Sequence, residues 1–73
     1  MKNYDEIWHE GKEIPVPEDE PYQHRSRSYT VIVEGKTEPE TLPAWYWFPT
    51  RCWVYAGTQV PVKVKTWIER YWR

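Results

Sequence analysis

AWYWFPTRCWVYAG, residues 44–57, carries two aromatic runs on either side of the tripeptide Pro-Thr-Arg at residues 49–51. This arrangement predicts a β-hairpin, because two strand-like runs are separated by a short turn. Successive side chains of a strand point to opposite faces, so Trp45 and Trp47 are expected to share one face. Gly57 gives the following turn the backbone freedom that it needs. The segment therefore predicts two adjacent antiparallel strands.

Two further segments have the composition of strands. Residues 28–34, Ser-Tyr-Thr-Val-Ile-Val-Glu, are rich in β-branched side chains and end before a glycine. Residues 59–65, Gln-Val-Pro-Val-Lys-Val-Lys, alternate in a way that turns Lys63 and Lys65 outward. Pro61 cannot donate a ladder hydrogen bond, so this strand is predicted at an edge. Together with the hairpin, these segments predict a short antiparallel sheet of three to four strands.

The C-terminal segment is compatible with a helix and with a strand. Residues 66–69, Thr-Trp-Ile-Glu, have the capping-box pattern that begins many helices. A helical spacing then relates Trp67, Ile68, Tyr71 and Trp72, which predicts a short C-terminal helix packed on the sheet. A continued strand is the alternative, because these residue types also suit strands. With the helix, the predicted fold class is a small, mainly-β domain of the α+β type.

The first 24 residues differ in composition from the rest of the chain. Residues 1–24 carry two lysines against seven acidic residues, whereas residues 25–73 carry eight basic against four acidic residues. Prolines at positions 15, 17 and 21 favour extended backbone. We therefore expect a flexible acidic N-terminal arm over residues 1–24 and a small aromatic-rich β domain over residues 25–73. The arm could address a basic partner or the domain itself.

Tyr4, Ile7 and Trp8 lie within this arm at the spacing of one helical face. An isolated helix needs about 12–15 residues to be stable in water, so a single turn is expected only against another surface. One interpretation is a frayed terminus. The other is a short recognition segment that folds when it binds a partner.

Length and composition limit the kind of protein. A chain of 73 residues has room for one domain and none for a cleft between two lobes. A net charge of −1 and an aromatic content of 18% argue against a disordered chain. The sequence has no apolar run of membrane-helix length, no recognisable signal peptide, and a single cysteine, Cys52, which cannot form an internal disulfide. These features predict a small soluble intracellular monomer without membrane contact.

Catalytic and metal-binding patterns are not found in the sequence. His9-Glu10 lacks the second histidine of zinc-protease motifs, and no glycine-rich phosphate loop occurs. The side chains able to bind metals have no recognised ligand spacing: His9, Glu10, Glu13, His24 and Cys52. A lone cysteine in an aromatic strand is more typical of a small buried hydrophobe than of a nucleophile. We therefore expect no enzyme activity, no cofactor and no metal.

The aromatic residues are too many for one face of a small sheet to bury. Most tryptophans are expected in the core, but exposed aromatics beside arginine are typical of binding hot spots. Basic residues interleave with the aromatics: Arg25, Arg27, Arg51, Lys63, Lys65, Arg70 and Arg73. A stacking platform for nucleic acid has this pattern, but a pI near 6.1 favours a protein partner. The predicted partner-binding residues are Tyr4, Ile7, Trp8, Trp45, Trp47, Arg51, Trp53, Lys63, Lys65 and Arg70.

The chain as a whole resembles a group of phage regulators. The resemblance rests on the opening Met-Lys-Asn-Tyr-Asp-Glu-Ile-Trp-His-Glu, the arm segment Pro-Val-Pro-Glu-Asp-Glu-Pro and the run Trp-Tyr-Trp-Phe-Pro-Thr-Arg-Cys-Trp. These stretches are similar to small RNA polymerase-binding regulators of lytic Xanthomonas bacteriophages, over the full length of the chain. The resemblance depends on no defined motif, so no functional residue is transferred by position.

The resemblance implies a regulator of bacterial transcription. Its partner would be the host RNA polymerase near the RNA exit channel, contacted through the β′ amino-terminal segment and the β flap. The basic, aromatic body of the chain could in addition hold nascent RNA. It would act in the host cytoplasm, inhibit initiation and promote antitermination. The residues alone leave two alternatives open: a single-stranded nucleic-acid-binding protein, and an SH3-like adaptor whose Trp-rich groove holds a proline-rich peptide.

Overall fold

The computed structural model describes residues 4–35 and 37–72. Over these residues the chain forms one antiparallel sheet of six strands in the order β1-β6-β2-β3-β4-β5, and no helix. The strands are β1 (Tyr4–Glu10), β2 (Tyr29–Val33), β3 (Thr41–Trp47), β4 (Cys52–Tyr55), β5 (Pro61–Val62) and β6 (Val64–Trp72). The fold is therefore small and all-β, and the predicted α+β class is wrong.

The predicted C-terminal helix is replaced by strand β6. This strand pairs with β1 on one side and with β2 on the other, so the backbone N–H and C=O groups of β6 have hydrogen-bond partners on both sides of the strand. Trp67 and Ile68 are adjacent and both buried, which is the pattern of a strand covered on its two faces. Pairing with distant strands overrides the local capping-box pattern, and the continued strand is the alternative that forms.

The N-terminal segment joins the sheet as well. β1 pairs with β6 in a register that runs from Tyr4↔Trp72 to Glu10↔Thr66. The predictions of a helical turn and of a flexible arm ahead of the sheet are therefore wrong for residues 4–10. The sheet also has more strands than the three to four expected. The register does not test whether residues 25–73 fold alone, so that boundary stays a prediction.

The central hairpin forms where its sequence predicts it. β3 and β4 pair from Ala44↔Tyr55 to Trp47↔Cys52, and Arg51 occupies the turn in a left-handed conformation with φ of 55°. The predicted strand at residues 59–65 is divided between the short edge strand β5 and the start of β6. Pro61 lies on the sheet edge, as its missing donor requires.

The main core cluster lies on one face of the sheet, and Val54 and Ile68 are buried on the other face. The main cluster consists of Val31, Ala44, Tyr46, Trp53 and Trp67, which come from β2, β3, β4 and β6. The rings of Trp53 and Trp67 have centroids 5.7 Å apart, and the Tyr46 ring meets Trp53 edge-on at the same separation. Large aromatic rings let a short chain bury enough apolar area to hold a single sheet together.

Residues 11–28 connect β1 to β2 and are fastened to the sheet at both ends. At the far end, Ser26 is fully buried, and its Oγ accepts a hydrogen bond from Tyr46 N at 2.8 Å. At the near end, Gly11 N donates to Lys65 O at 2.8 Å. The Trp67 indole also donates to Glu13 O at 3.0 Å. The connection is therefore held by backbone and side-chain hydrogen bonds, and Pro15 within it is buried.

Candidate partner-binding surface

An aromatic patch is exposed where the two terminal strands meet. Register pairs Tyr4 with Trp72 and Trp8 with Ile68, so these side chains share the face opposite to the core. The Tyr4 and Trp72 rings meet edge-on with centroids 5.8 Å apart. Trp8 is 59% exposed and Trp72 is 81% exposed. We call Tyr4, Trp8 and Trp72 the terminal aromatic patch.

Arg70 holds this patch in place. Its Nε donates to Glu6 Oε2 at 3.1 Å, and its Nη1 donates to Thr30 Oγ1 at 3.0 Å. The guanidinium carbon also lies 5.8 Å from the centroid of the Tyr4 ring. Arg70 therefore links β6 to β1 and β2, and its charge is compensated by Glu6 within the protein. These contacts position the patch, and the role of Arg70 in partner binding stays a prediction.

On the core face, His9 fastens β1 to β6. Its ring stacks on Trp67 with centroids 4.0 Å apart and an interplanar angle of 15°. Its Nε2 lies 2.6 Å from Glu69 Oε1, and its Nδ1 lies 3.4 Å from Glu13 Oε2. The Nε2 contact is close but lacks hydrogen-bond direction, so we treat it as an electrostatic contact. This cluster explains why a polar residue lies within the sheet.

Two tyrosines around this cluster, Tyr29 and Tyr71, have raised pKa values. Burial, followed by the nearby Glu69 carboxylate, raises the pKa of Tyr29. The pKa of Tyr71 is raised chiefly by the hydrogen bond that its hydroxyl donates to Glu69. Both phenols are therefore neutral donors at ordinary pH.

A second surface lies at the other end of the same outer face. The guanidinium carbon of Arg25 lies 4.0 Å from the centroid of the Trp45 ring and 4.8 Å from that of Tyr22. His24 meets Trp47 edge-on, with centroids 4.9 Å apart. These side chains line a groove of about 340 Å³ whose lining is Tyr22, His24, Arg25, Trp45, Trp47, Gly57 and Gln59. We call it the Arg25 groove.

Backbone contacts place the loop against β3 to form this groove. Arg25 forms an isolated bridge with Trp47, and Phe48 N donates to His24 O at 3.0 Å. The buried Ser26 continues this contact along β3. Trp45 Nε1 is buried and meets no acceptor among the residues that the structure describes. Backbone contacts thus fix the groove against the sheet.

The predicted partner-binding residues fall into separate regions. Ile7 lies on β1 and is exposed, whereas Trp45 and Trp47 line the Arg25 groove. Trp53 is only 5% exposed and belongs to the core, so it presents no binding surface in this conformation. The predicted basic residues are exposed: Arg51 in the β3–β4 turn, Lys63 between β5 and β6, and Lys65 in the interior strand β6. Arg73 lies outside the described residues, as do Met1, Lys2, Asn3 and Lys36.

Sequence reasoning missed three exposed aromatics: Tyr22, Tyr71 and Trp72. The helical spacing predicts Tyr71 and Trp72 on a face packed on the sheet, whereas both are exposed at the end of strand β6. Tyr22 lies in the proline-rich segment, whose sequence does not indicate an approach to β3. Only tertiary structure reveals the positions of these residues.

Residues 4–35 and 37–72 contain no group of three histidine, cysteine, aspartate or glutamate side chains arranged to hold a metal ion. In the same part of the chain, we found no helix with the length and apolar character needed to cross a membrane. No known protein family, no curated protein and no solved structure matches this chain.

Proposed function

We propose that this protein is a phage-encoded transcription regulator that binds host bacterial RNA polymerase near the RNA exit channel. It acts in the host cytoplasm, inhibits initiation and promotes antitermination by binding alone, without catalysis. The β′ amino-terminal segment and the β flap are the partner surfaces that the sequence resemblance implies. The terminal aromatic patch is the observation that supports a protein partner most directly.

The patch has the character of an interaction surface. Tryptophan and tyrosine are enriched among the residues that contribute most to protein interfaces. Trp72, the most exposed large hydrophobic side chain described, would lose its contact with water on binding. Arg70 and Tyr4 constrain the patch before binding, so less side-chain entropy is lost on association. A protein acting by surface alone needs such an ordered aromatic area.

The mechanism is bridging of two polymerase elements. Occupation of the flap would exclude a promoter-specificity factor from the same surface and thereby stop initiation. The same contact would restrain the exit channel, so that a terminator hairpin could not finish folding. Each effect requires the protein to bind one state of the polymerase more tightly than another, because equal binding shifts no equilibrium.

A transcription assay with purified polymerase tests the proposal. Initiation should fall and terminator readthrough should rise as protein is added, and both effects should saturate near one copy per polymerase. Trp8→Ala and Trp72→Ala should each weaken polymerase binding by about 2 kcal/mol, which is typical of an aromatic anchor. Tyr71→Ala is the matched control, since it removes a half-exposed aromatic side chain on the opposite face of the sheet from the patch. Inhibition at far below one copy per polymerase would exclude the binding mechanism.

A further inference from the structure

We propose that the Arg25 groove binds single-stranded nucleic acid, with one base stacked on its aromatic wall and the adjoining phosphate on Arg25. This activity goes beyond polymerase binding and is independent of it. The groove lies on different strands from the terminal aromatic patch, so the two surfaces can be altered separately.

The rings and the cation of the groove stand in the order that a nucleotide requires. Tyr22 is about half exposed, and the Arg25 guanidinium lies between its ring and that of Trp45. An exposed aromatic face accepts any base by stacking, and a guanidinium beside it binds phosphate through paired hydrogen bonds. A volume of about 340 Å³ is at the low end for small-ligand sites, which is appropriate for one nucleotide unit of a longer strand.

Charge favours a nucleic acid over a proline-rich peptide. The described lining of the groove contains Arg25 and His24 but no carboxylate. The acidic residues of the preceding turn lie outside the lining, and Glu18 is paired with Arg27 at 3.5 Å. An anionic strand therefore meets an uncompensated arginine, whereas a neutral peptide would gain nothing from this charge.

The β3–β4 turn, which directly follows Trp47, carries a second cation. Arg51 precedes Cys52, the partner of Trp47, and it is exposed. We therefore expect an oligonucleotide that extends past Trp47 towards this turn to bind more tightly than a free mononucleotide.

The Trp45 indole is a probe of the groove. Its Nε1 is buried without an acceptor among the described residues, and so is that of the core residue Trp53, so this donor does not by itself indicate a ligand. A small displacement of Arg25 towards a phosphate would open the covered face of Trp45, because the guanidinium lies 4.0 Å above that ring. Ligand binding should therefore alter the environment of this indole.

Titration of the isolated protein with labelled ten-nucleotide oligouridine and oligothymidine, followed by anisotropy, tests the proposal without polymerase. We expect binding at 50 mM salt that weakens at 200 mM. The slope of log K against log salt should be near −0.7 to −1.4, which corresponds to about one or two phosphate contacts. Comparison of the two oligomers shows whether RNA or DNA is preferred, and uridine monophosphate should bind much more weakly than either.

Variants locate the binding. Tyr22→Ala and Arg25→Lys should each reduce affinity at least about fivefold, since the first removes a stacking face and the second removes the planar fork. Tyr71→Ala is the matched control, because Tyr71 is equally exposed but lies on the core face of the sheet. The Trp45 indole N–H resonance should shift on titration of the wild type. The same resonance should also show that each variant is folded.

Several results would overturn the proposal. One is that the folded protein does not bind the oligonucleotides at 50 mM salt. Another is that Tyr71→Ala and Tyr22→Ala lose affinity equally. A third is that only Trp72→Ala, among the variants, loses affinity for the oligonucleotide. Saturable binding of a proline-rich peptide that shifts the Trp45 resonance while oligonucleotides do not would assign the groove to a peptide instead.

Discussion

Replacing Gly11 by alanine puts a methyl group into the space between the end of β1 and the start of β6. A Cβ at this position would lie 1.9 Å from Val64 O and 2.8 Å from Val64 C, both backbone atoms. A backbone cannot yield as a flexible side chain does, so the two strands must separate locally. The hydrogen bond from Gly11 N to Lys65 O would then be lost.

The size of the effect follows from these contacts. Overpacking costs about 1–3 kcal/mol, and a lost backbone hydrogen bond adds about 1 kcal/mol. We therefore expect Gly11→Ala to lower the free energy of unfolding by about 2–4 kcal/mol. For a domain of this length, that lowers Tm by about 10–25 °C. Urea unfolding followed by tryptophan fluorescence measures the loss directly.

Amide exchange shows where the loss occurs. Protection in β1 and at the Trp67 indole N–H, which donates to Glu13 O, should fall in Gly11→Ala. Gly35→Ala is the matched control. A Cβ added at Gly35 would meet no atom within 4 Å apart from its chain neighbours, and the φ of 83° means that the substitution costs backbone strain alone. A Gly11→Ala protein with wild-type stability, or one whose protection in β1 is unchanged, would refute the reasoning.

Three further predictions concern burial and ionisation. Ser26→Ala should cost about 1–3 kcal/mol, because it leaves a buried backbone N–H without its acceptor, and denaturant unfolding measures this. Trp53→Ala should cost about 3–5 kcal/mol, whereas Trp72→Ala should change the free energy of unfolding by no more than about 0.5 kcal/mol; equal losses would contradict the assigned core. The raised pKa of Tyr29 makes the folded state hold that proton more tightly, so its contribution to stability is present below about pH 10 and is lost as pH rises above it. Unfolding measured between pH 9 and pH 11 should therefore be less pH-dependent in Tyr29→Phe, and an unchanged profile would contradict this assignment.

The hairpin could be predicted from sequence because its signals are local. Aromatic runs of alternating orientation flank a short turn at residues 49–51, and the partner strand lies a few residues away. Pro61 likewise indicates an edge strand, because proline lacks a backbone N–H whatever its surroundings.

The terminal strands could not be predicted in the same way. Trp67 and Ile68 are both buried because β6 is covered on two faces, and this removes the alternation that usually identifies a strand. Tyr4 and Trp8 satisfy a helical spacing and also alternate along a strand. Only a partner at the other end of the chain decides between these conformations, and single-sequence patterns do not contain that information.

The candidate surfaces, too, could be predicted only in part from the sequence. Arg25 packs on the partly buried ring of Trp45, but a role of this pair in partner binding stays a prediction. Which tryptophans are exposed could not be predicted, because Trp45 and Trp53 both lie in strand-like aromatic runs of the hairpin and local sequence does not say which face is buried. The two residues are separated by their position across the hairpin: Trp53 faces the core, whereas Trp45 faces outward.

The position of β6 between β1 and β2 has a consequence for the order of folding. Both of its partners lie at least 30 residues away in sequence, so closing these loops costs chain entropy before any contact compensates for it. The β3–β4 hairpin, in contrast, needs only a short turn and is expected to nucleate early. We expect slow, high-contact-order kinetics in which the arrival of β6 is the late step that also recruits β1.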